Sequence, residues 1–125
     1  MCQIAWLKFQ SISYEDYERQ NVHFIYPDYL DTDSAKAVKF KKKYLDFART
    51  EPNMYAFIGY EILHFFADLL QQYGTQTDYR AELRKLGPES GIATEGINFS
   101  QSNTNQFVPI LKIKDGNPEL ITKIK

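Results

Sequence analysis

The side chains best suited to chemistry in this sequence lie on one helical stretch, at Glu61, His64 and Asp68. Spacings of three and four residues place two carboxylates and one imidazole on the same helix face, and all three groups are metal ligands. Two-metal helical bundles use Glu-x-x-His pairs from facing helices, whereas this sequence has one such pair and only His23 besides. We therefore predict a solvated polar stripe without metal, and keep a small metal-dependent enzyme as an alternative.

Other catalytic patterns are missing from the sequence. Cys2 is the only cysteine, so neither an internal disulfide nor a zinc site built from several thiolates can form. The chain has no G-x-S-x-G sequence and no glycine-rich phosphate loop, which are typical of hydrolases and nucleotide-binding enzymes. We predict a protein that is not an enzyme and has no cofactor.

The composition is that of a folded protein of one ordinary domain. Of 125 residues, 43% are hydrophobic and 25% are charged, and the aromatic content of 15% provides material for a sizeable core. The net charge is −1, and the basic run Lys39–Lys43 has helical surroundings, so it predicts a solvated helix face and no nucleic-acid partner. No stretch reaches the ~18 apolar residues of a membrane span, and MCQIAWLKFQ lacks the pattern of a secretory signal.

Three helices are predicted in the middle of the chain. The first follows the N-cap candidates Asp33 and Ser34 and runs to about Ala48. The second runs from Asn53 to Tyr73 and ends at Gly74, and the third lies between Asp78 and Leu86. Upstream, QSISYEDYERQ predicts a short helix or loop, with Ser13 and Asp16 in a partial capping box.

Strands are predicted on both sides of these helices. Val22–Tyr26 is β-branched and aromatic and stops at Pro27. After the helices, Ile92–Phe99 predicts one strand, and Phe107–Lys114 and Pro118–Ile124 predict a hairpin around Asp115-Gly116. The predicted fold class is α/β, in the order strand, three helices, strand and hairpin. Its segments are 1–34, 35–86 and 87–125.

The second helix is apolar around nearly its whole circumference. Apart from the stripe of Glu61, His64, Asp68 and Gln72, most residues of 54–70 are apolar, and such a helix needs neighbours on most sides. Three helices and four strands provide few of them. We therefore expect the chain to be a single partial domain.

An ordered series of residues resembles the C-terminal part of type I periplasmic binding proteins, and more narrowly the receptors related to leucine/isoleucine/valine-binding proteins of ABC importers. The series is Phe40-x3-Tyr44, Pro52, Ala56, Gly59-Tyr60-Glu61, Leu69-Leu70 and Gly74, followed by GIATEGINFS and the hairpin FVPILKIKDGNPELI. The family has an Asp after Gly-Tyr, where this chain has Glu61. The resemblance covers nearly the whole chain and implies a fragment of about the last third of a two-lobed protein.

The resemblance implies a non-catalytic protein that binds a small, amino-acid-like solute by hinge closure and delivers it to an ABC permease. It implies a periplasmic or extracytoplasmic location for the complete protein. It also implies that Gly59 allows close backbone approach of a neighbour, that Tyr60 fills the space beside it, and that the stripe of Glu61 faces solvent.

Four residues are candidate ligand contacts on the basis of this resemblance. Tyr55, at the start of the second helix, matches an aromatic position at the ligand cleft. Gln20 falls where some relatives have a Glu that pairs with a ligand ammonium, and Asp28 and Tyr29 lie at the expected hinge crossing. Core packing, turns and caps use the same residue types, so structural roles remain the alternative at each position.

Two further expectations concern partners. With half of the cleft missing, the isolated chain is expected to form a homodimer through unpaired sheet edges and apolar helix faces. The alternative function is a stand-alone structural or protein-interaction module, which would present an exposed apolar patch to a partner protein.

Overall fold

The computed structural model describes residues 1–122 as an α/β fold with four α-helices and a small mixed sheet of four strands. In chain order, the elements are β1 (Cys2–Gln3), a 3-10 helix (Ile4–Lys8), α1 (Tyr14–Arg19), β2 (His23–Ile25), α2 (Ala35–Ala48), α3 (Met54–Tyr73), α4 (Tyr79–Lys85), β3 (Ile110–Lys114) and β4 (Asn117–Leu120). The predicted strand before Pro27, the three central helices and the hairpin are confirmed. No helix in this part of the chain has the length and apolar character to cross a bilayer.

The strands are arranged in the order β1-β2-β3-β4. β1 runs parallel to β2, whereas β3 is antiparallel to both β2 and β4. Phe24 of β2 lies opposite Leu111 of β3, which in turn lies opposite Leu120 of β4. All three side chains are buried. Because a shift by one residue would turn them to the other face, this apolar row fixes the register of the sheet.

The turn between β3 and β4 consists of Asp115 and Gly116, as predicted. Both residues have positive φ, of 49° and 74°, which a two-residue type I′ turn requires. Their backbone N–H groups donate to the two carboxylate oxygens of Glu18 at 3.0 and 3.2 Å. The hairpin is therefore tied to α1, which also packs against β3.

Polar caps begin the helices where the sequence predicts them. Ser13 and Asp16 form a complete capping box at α1, and the hydrogen bonds from Ser13 lower the pKa of Asp16. Ser34 and Asn53 accept backbone N–H groups from the first turns of α2 and α3, at 3.2 and 2.9 Å. Each cap satisfies a donor that has no partner inside its helix.

The buried apolar side chains form two clusters. One lies between the sheet and α1 and contains Tyr17, Phe24 and Ile113. The other lies between α2, α3 and the loop that follows α4, and contains Ala37, Phe40, Phe57 and Ala93. In the second cluster the ring of Phe40 stacks on Tyr60, with 4.3 Å between ring centroids. Tyr60 thus fills space between α2 and α3.

The predicted strand Ile92–Phe99 is wrong. Apart from a single β-bridge between Glu89 and Ile97, this stretch is an irregular loop. Its apolar side chains pack against α2 and α3, since Ala93 belongs to the second cluster. The hairpin strands are also shorter than predicted, and Ile124 lies outside the described residues.

Candidate functional site

Glu61 is buried, with 3% of its surface exposed, and it is the one buried charged side chain within residues 1–122. Its carboxylate accepts the backbone N–H groups of Ala93 and Thr94 at 3.0 and 2.9 Å, and the hydroxyl of Thr94. The expectation that Glu61 faces solvent is therefore wrong. Three donors compensate the carboxylate for the water it loses.

The loop that holds Glu61 has little room for side chains. A Cβ built on Gly91 would collide with Oε1 of Glu61 and with Oγ1 of Thr94, and would lie 2.6 Å from the carbonyl oxygen of Thr94. Gly91 is thus required by close approach to the carboxylate. We call the three hydrogen bonds between Glu61 and residues 93–94 the Glu61 clasp.

The same loop is fixed from the other side by the start of α2. The N–H of Asp31 donates to the carbonyl oxygen of Ala93 at 2.8 Å. The hydroxyl of Ser34, which caps α2, donates to the carbonyl oxygen of Ile92 at 3.0 Å. Residues 91–94 therefore connect the N-terminus of α2 to the middle of α3, and the Glu61 clasp is the α3 end of that connection.

A cavity of about 240 Å³ lies beside the Glu61 clasp, between α3 and the loop that follows residue 94. Most of its wall is apolar and consists of Pro27, Ile58, Ile62, Phe65, Phe66, Ile97 and Phe99. Its polar lining comes from Glu61, Thr94 and Asn105. We call this space the α3 cavity.

A second feature of α3 is a row of exposed residues that we call the α3 stripe: Tyr55, Gly59, Ile62, Leu63, Phe66 and Leu70. Their spacings of about four residues place them on one side of the helix. Tyr55 and Leu63 are the most exposed of the five apolar side chains, at 74% and 68%. The other three are about half-exposed: Ile62 at 51%, Leu70 at 48% and Phe66 at 42%. The α3 stripe contains no charged residue. This side of α3 therefore has the composition of a protein core but faces solvent.

The metal alternative has no support in the geometry of residues 1–122. No three His, Cys, Asp or Glu side chains there are placed to share a metal ion. The carboxylate of Glu61 is engaged in the Glu61 clasp, and the ring of His64 packs against Tyr60 at 4.3 Å between centroids. These contacts direct the Glu61 and His64 side chains to separate partners.

The four predicted ligand contacts lie on different elements. Tyr55 is in the first turn of α3 and is 74% exposed, and Gln20 is the exposed C-cap of α1. Asp28 and Tyr29 lie in the turn after β2, Asp28 exposed and Tyr29 half-buried. The ring of Tyr29 meets that of Tyr26 edge-on at 5.8 Å.

The environment of Tyr29 makes its hydroxyl a weaker acid. Burial, followed by the negative charges of Asp31, Glu95 and Asp33, raises the pKa of Tyr29 above its ordinary value of 10.0.

The structure brings together only the two candidates that are adjacent in sequence. Within residues 1–122, no hydrogen bond or ring contact joins Tyr55 or Gln20 to Asp28 or Tyr29, and none of the four lines the α3 cavity. Their assignment as ligand contacts stays a prediction. Sequence reasoning missed Thr94, which belongs to the Glu61 clasp, and Gly91, which lies against it. The one sequence signal for them was an acid inside an apolar helix.

Comparison of the chain with protein-family models, with curated proteins and with solved structures found no match. The resemblance to type I periplasmic binding proteins therefore remains a prediction from the sequence. One of its packing expectations, Glu61 in solvent, is wrong for this chain. Another, a neighbour close to Gly59, is not met within residues 1–122, because nothing lies within 4 Å of a Cβ built there.

Proposed function

We propose that this chain is part of a larger, non-catalytic ligand-binding protein of the type I periplasmic binding protein kind. The α3 stripe is the observation that carries the proposal. Folded proteins seldom leave a continuous apolar patch of this kind in water unless another surface covers it. We infer that the stripe packs against other elements of the same protein, in a lobe to which α3 contributes one layer.

The position of Gly59 supports this role for the stripe. A glycine inside a helix costs about 1 kcal/mol relative to alanine. Within residues 1–122 no neighbour uses the space it leaves. Gly59 lies between Tyr55 and Ile62 in the middle of an apolar surface, where a missing side chain lets an outside backbone approach closely.

In the complete protein, two lobes would close about a hinge and bury a small amino-acid-like solute between them. Closure shifts an open–closed equilibrium because the ligand contacts both lobes only in the closed state. Tyr55, exposed at the end of the stripe, would cover the ligand, and an ABC permease outside the cytoplasm would receive it. Gln20, Asp28 and Tyr29 would contribute polar contacts.

A stand-alone protein-interaction module is the second candidate, and it is favoured by the two clusters and four-stranded sheet that the chain forms on its own. In that case, the stripe would bind a different protein. Both candidates use the stripe, so they differ in whether its partner is encoded in the same polypeptide.

The size of the native gene product separates the two candidates. An antibody raised against this chain should detect, in the source cells, a product longer by about 250 residues, the size of one to two further domains. It should be found in the extracytoplasmic fraction. A native product of 125 residues would overturn the first proposal and leave the interaction module.

We further propose that the isolated chain forms a homodimer in which two stripes cover each other, because a charge-free surface can pair with its own copy without repulsion. Light scattering should show a dimer whose population rises with concentration. Leu63→Lys, which places a charge in the stripe, should give a monomer. Phe47→Lys changes a side chain that is 90% exposed on α2 and should leave the dimer intact, whereas a wild-type monomer at all concentrations would contradict the proposal.

A further inference from the structure

We propose that the α3 cavity is a binding site for a small uncharged aromatic molecule, a role that does not rest on the proposed function. The size of the cavity sets the first limit on the ligand. A dry apolar cavity of about 150 Å³, engineered in another protein, binds benzene. The α3 cavity, at about 240 Å³, is open to solvent at Ile62 and Phe66, which are 51% and 42% exposed. It has room for two fused rings and is smaller than the ~300 Å³ at which pockets for drug-sized ligands begin.

The walls of the cavity favour rings. Phe65 and Phe66 meet edge-on with 5.2 Å between their centroids, and Phe99 lies 6.2 and 6.5 Å from them. These three rings pack against one another and form an aromatic part of the cavity wall. An aromatic ligand gains from such surroundings because ring pairs attract at centroid distances of about 4.5–7 Å.

Two of the polar groups in the lining are already engaged. Glu61 accepts three hydrogen bonds in the Glu61 clasp, and one of them uses the hydroxyl proton of Thr94. A ligand donor at Glu61 would therefore have to share oxygens that three donors of the chain already occupy.

The third polar group, Asn105, is engaged in the same way. Its side-chain oxygen accepts two backbone N–H groups, at 2.8 and 3.0 Å, and its side-chain nitrogen donates to a backbone carbonyl at 3.2 Å. No Lys, Arg or His lines the cavity within the described part of the chain, so an anionic ligand would have no cationic partner. The lining therefore disfavours an anion, and its mostly apolar wall favours an uncharged molecule.

The test uses indole as the neutral probe and indole-3-acetate as its charged analogue, each titrated into the full chain. Amide proton–nitrogen correlation spectra report where binding occurs. We expect saturable shifts for indole at residues of α3 and of the loop that follows residue 94. Indole-3-acetate should bind at least about tenfold more weakly, a difference of about 1.4 kcal/mol, because its carboxylate has no partner in the cavity.

A filled cavity provides the matched comparison. Ile58→Phe adds a ring to the wall and should weaken indole binding by at least about tenfold. Val38→Phe makes the same kind of change at a half-exposed site on α2, outside the cavity, and should leave indole binding unchanged. If circular dichroism shows that Ile58→Phe does not fold, Ile97→Phe, at a wall position outside the α3 stripe, is the replacement filling variant.

Each outcome decides the proposal. Saturable indole binding that is lost on filling and kept in the α2 control supports it. Indole binding that is the same in the filled variant and in wild type places the probe elsewhere and overturns it. No saturable binding of indole to the wild type, or equal binding of indole-3-acetate, also overturns it. Ile62 and Phe66 belong to both the cavity wall and the α3 stripe, so indole is titrated at a concentration where light scattering shows a monomer. The results do not depend on the length of the native product.

Discussion

The two sides of α3 carry similar apolar material but have opposite surroundings. On one side, Phe57 and Leu69 are buried against the rest of the chain, and the charged Glu61 is buried between them. On the other side, Leu63 and Leu70 of the stripe are 68% and 48% exposed. A carboxylate is thus inside and leucines are outside on the same helix.

This difference shows that hydrophobicity alone does not decide which side of a helix is enclosed. The Glu61 side is enclosed because the loop at residues 91–94 brings three donors to a carboxylate that would otherwise be costly to bury. The loop that follows residue 94 reaches only the Ile62 and Phe66 edge of the stripe, and Tyr55 and Leu63 stay 74% and 68% exposed. Enclosure depends on what the neighbouring chain can supply, and the sequence of the helix cannot specify that.

The strongest test of the comparison is Glu61→Ala, which removes the acceptor of the Glu61 clasp. Two backbone N–H groups and one hydroxyl then lose their partner in a buried place, at about 1–3 kcal/mol for each unsatisfied group. We expect the free energy of unfolding in urea to fall by about 3 kcal/mol or more. Asp68→Ala removes an exposed acid from the same helix and should change it by less than about 0.5 kcal/mol. If both substitutions lowered the free energy of unfolding equally, the hydrogen bonds of the Glu61 clasp would not be the cause of the loss.

The parts of the fold that depend on local chemistry were predictable from the sequence. The capping box of Ser13, the caps of α2 and α3, and the Asp115-Gly116 turn all depend on residues within four positions of one another. β1 was not predicted, because two residues cannot carry a periodic pattern and their pairing partner β2 lies some twenty residues away. The strand predicted at Ile92–Phe99 failed for a related reason, since its apolar residues pack on helices.

The candidate site was less predictable because it forms between distant parts of the sequence. Glu61 and Thr94 are 33 positions apart, and no local pattern indicates that they meet. The one local sign was an acid in the middle of an apolar helix, which two readings could explain: a solvated stripe or a buried, hydrogen-bonded carboxylate. The sequence favoured the first because His64 and Asp68 continue the polar row, and these two are indeed exposed.

Two glycines sharpen the comparison, because each belongs to one side of α3. Gly91→Ala would place a methyl group against Glu61 Oε1 and against the carbonyl oxygen of Thr94, which is backbone and cannot turn away. We expect the free energy of unfolding to fall by about 2 kcal/mol. Gly87→Ala is the control, since nothing lies within 4 Å of its Cβ position, and an equal loss there would mean that contact with the carboxylate is not the cause.

Gly59→Ala, on the stripe side, should have the smallest effect and the opposite sign. No atom within residues 1–122 lies within 4 Å of the added methyl group, so the substitution removes the helix cost of glycine without a clash. We expect the isolated chain to gain about 1 kcal/mol in unfolding free energy, measured in urea at a concentration where it is monomeric. A loss instead would mean that something in this chain already approaches Gly59. A gain would show that no neighbour within residues 1–122 needs the space beside Gly59, as the proposal that an outside surface uses it requires.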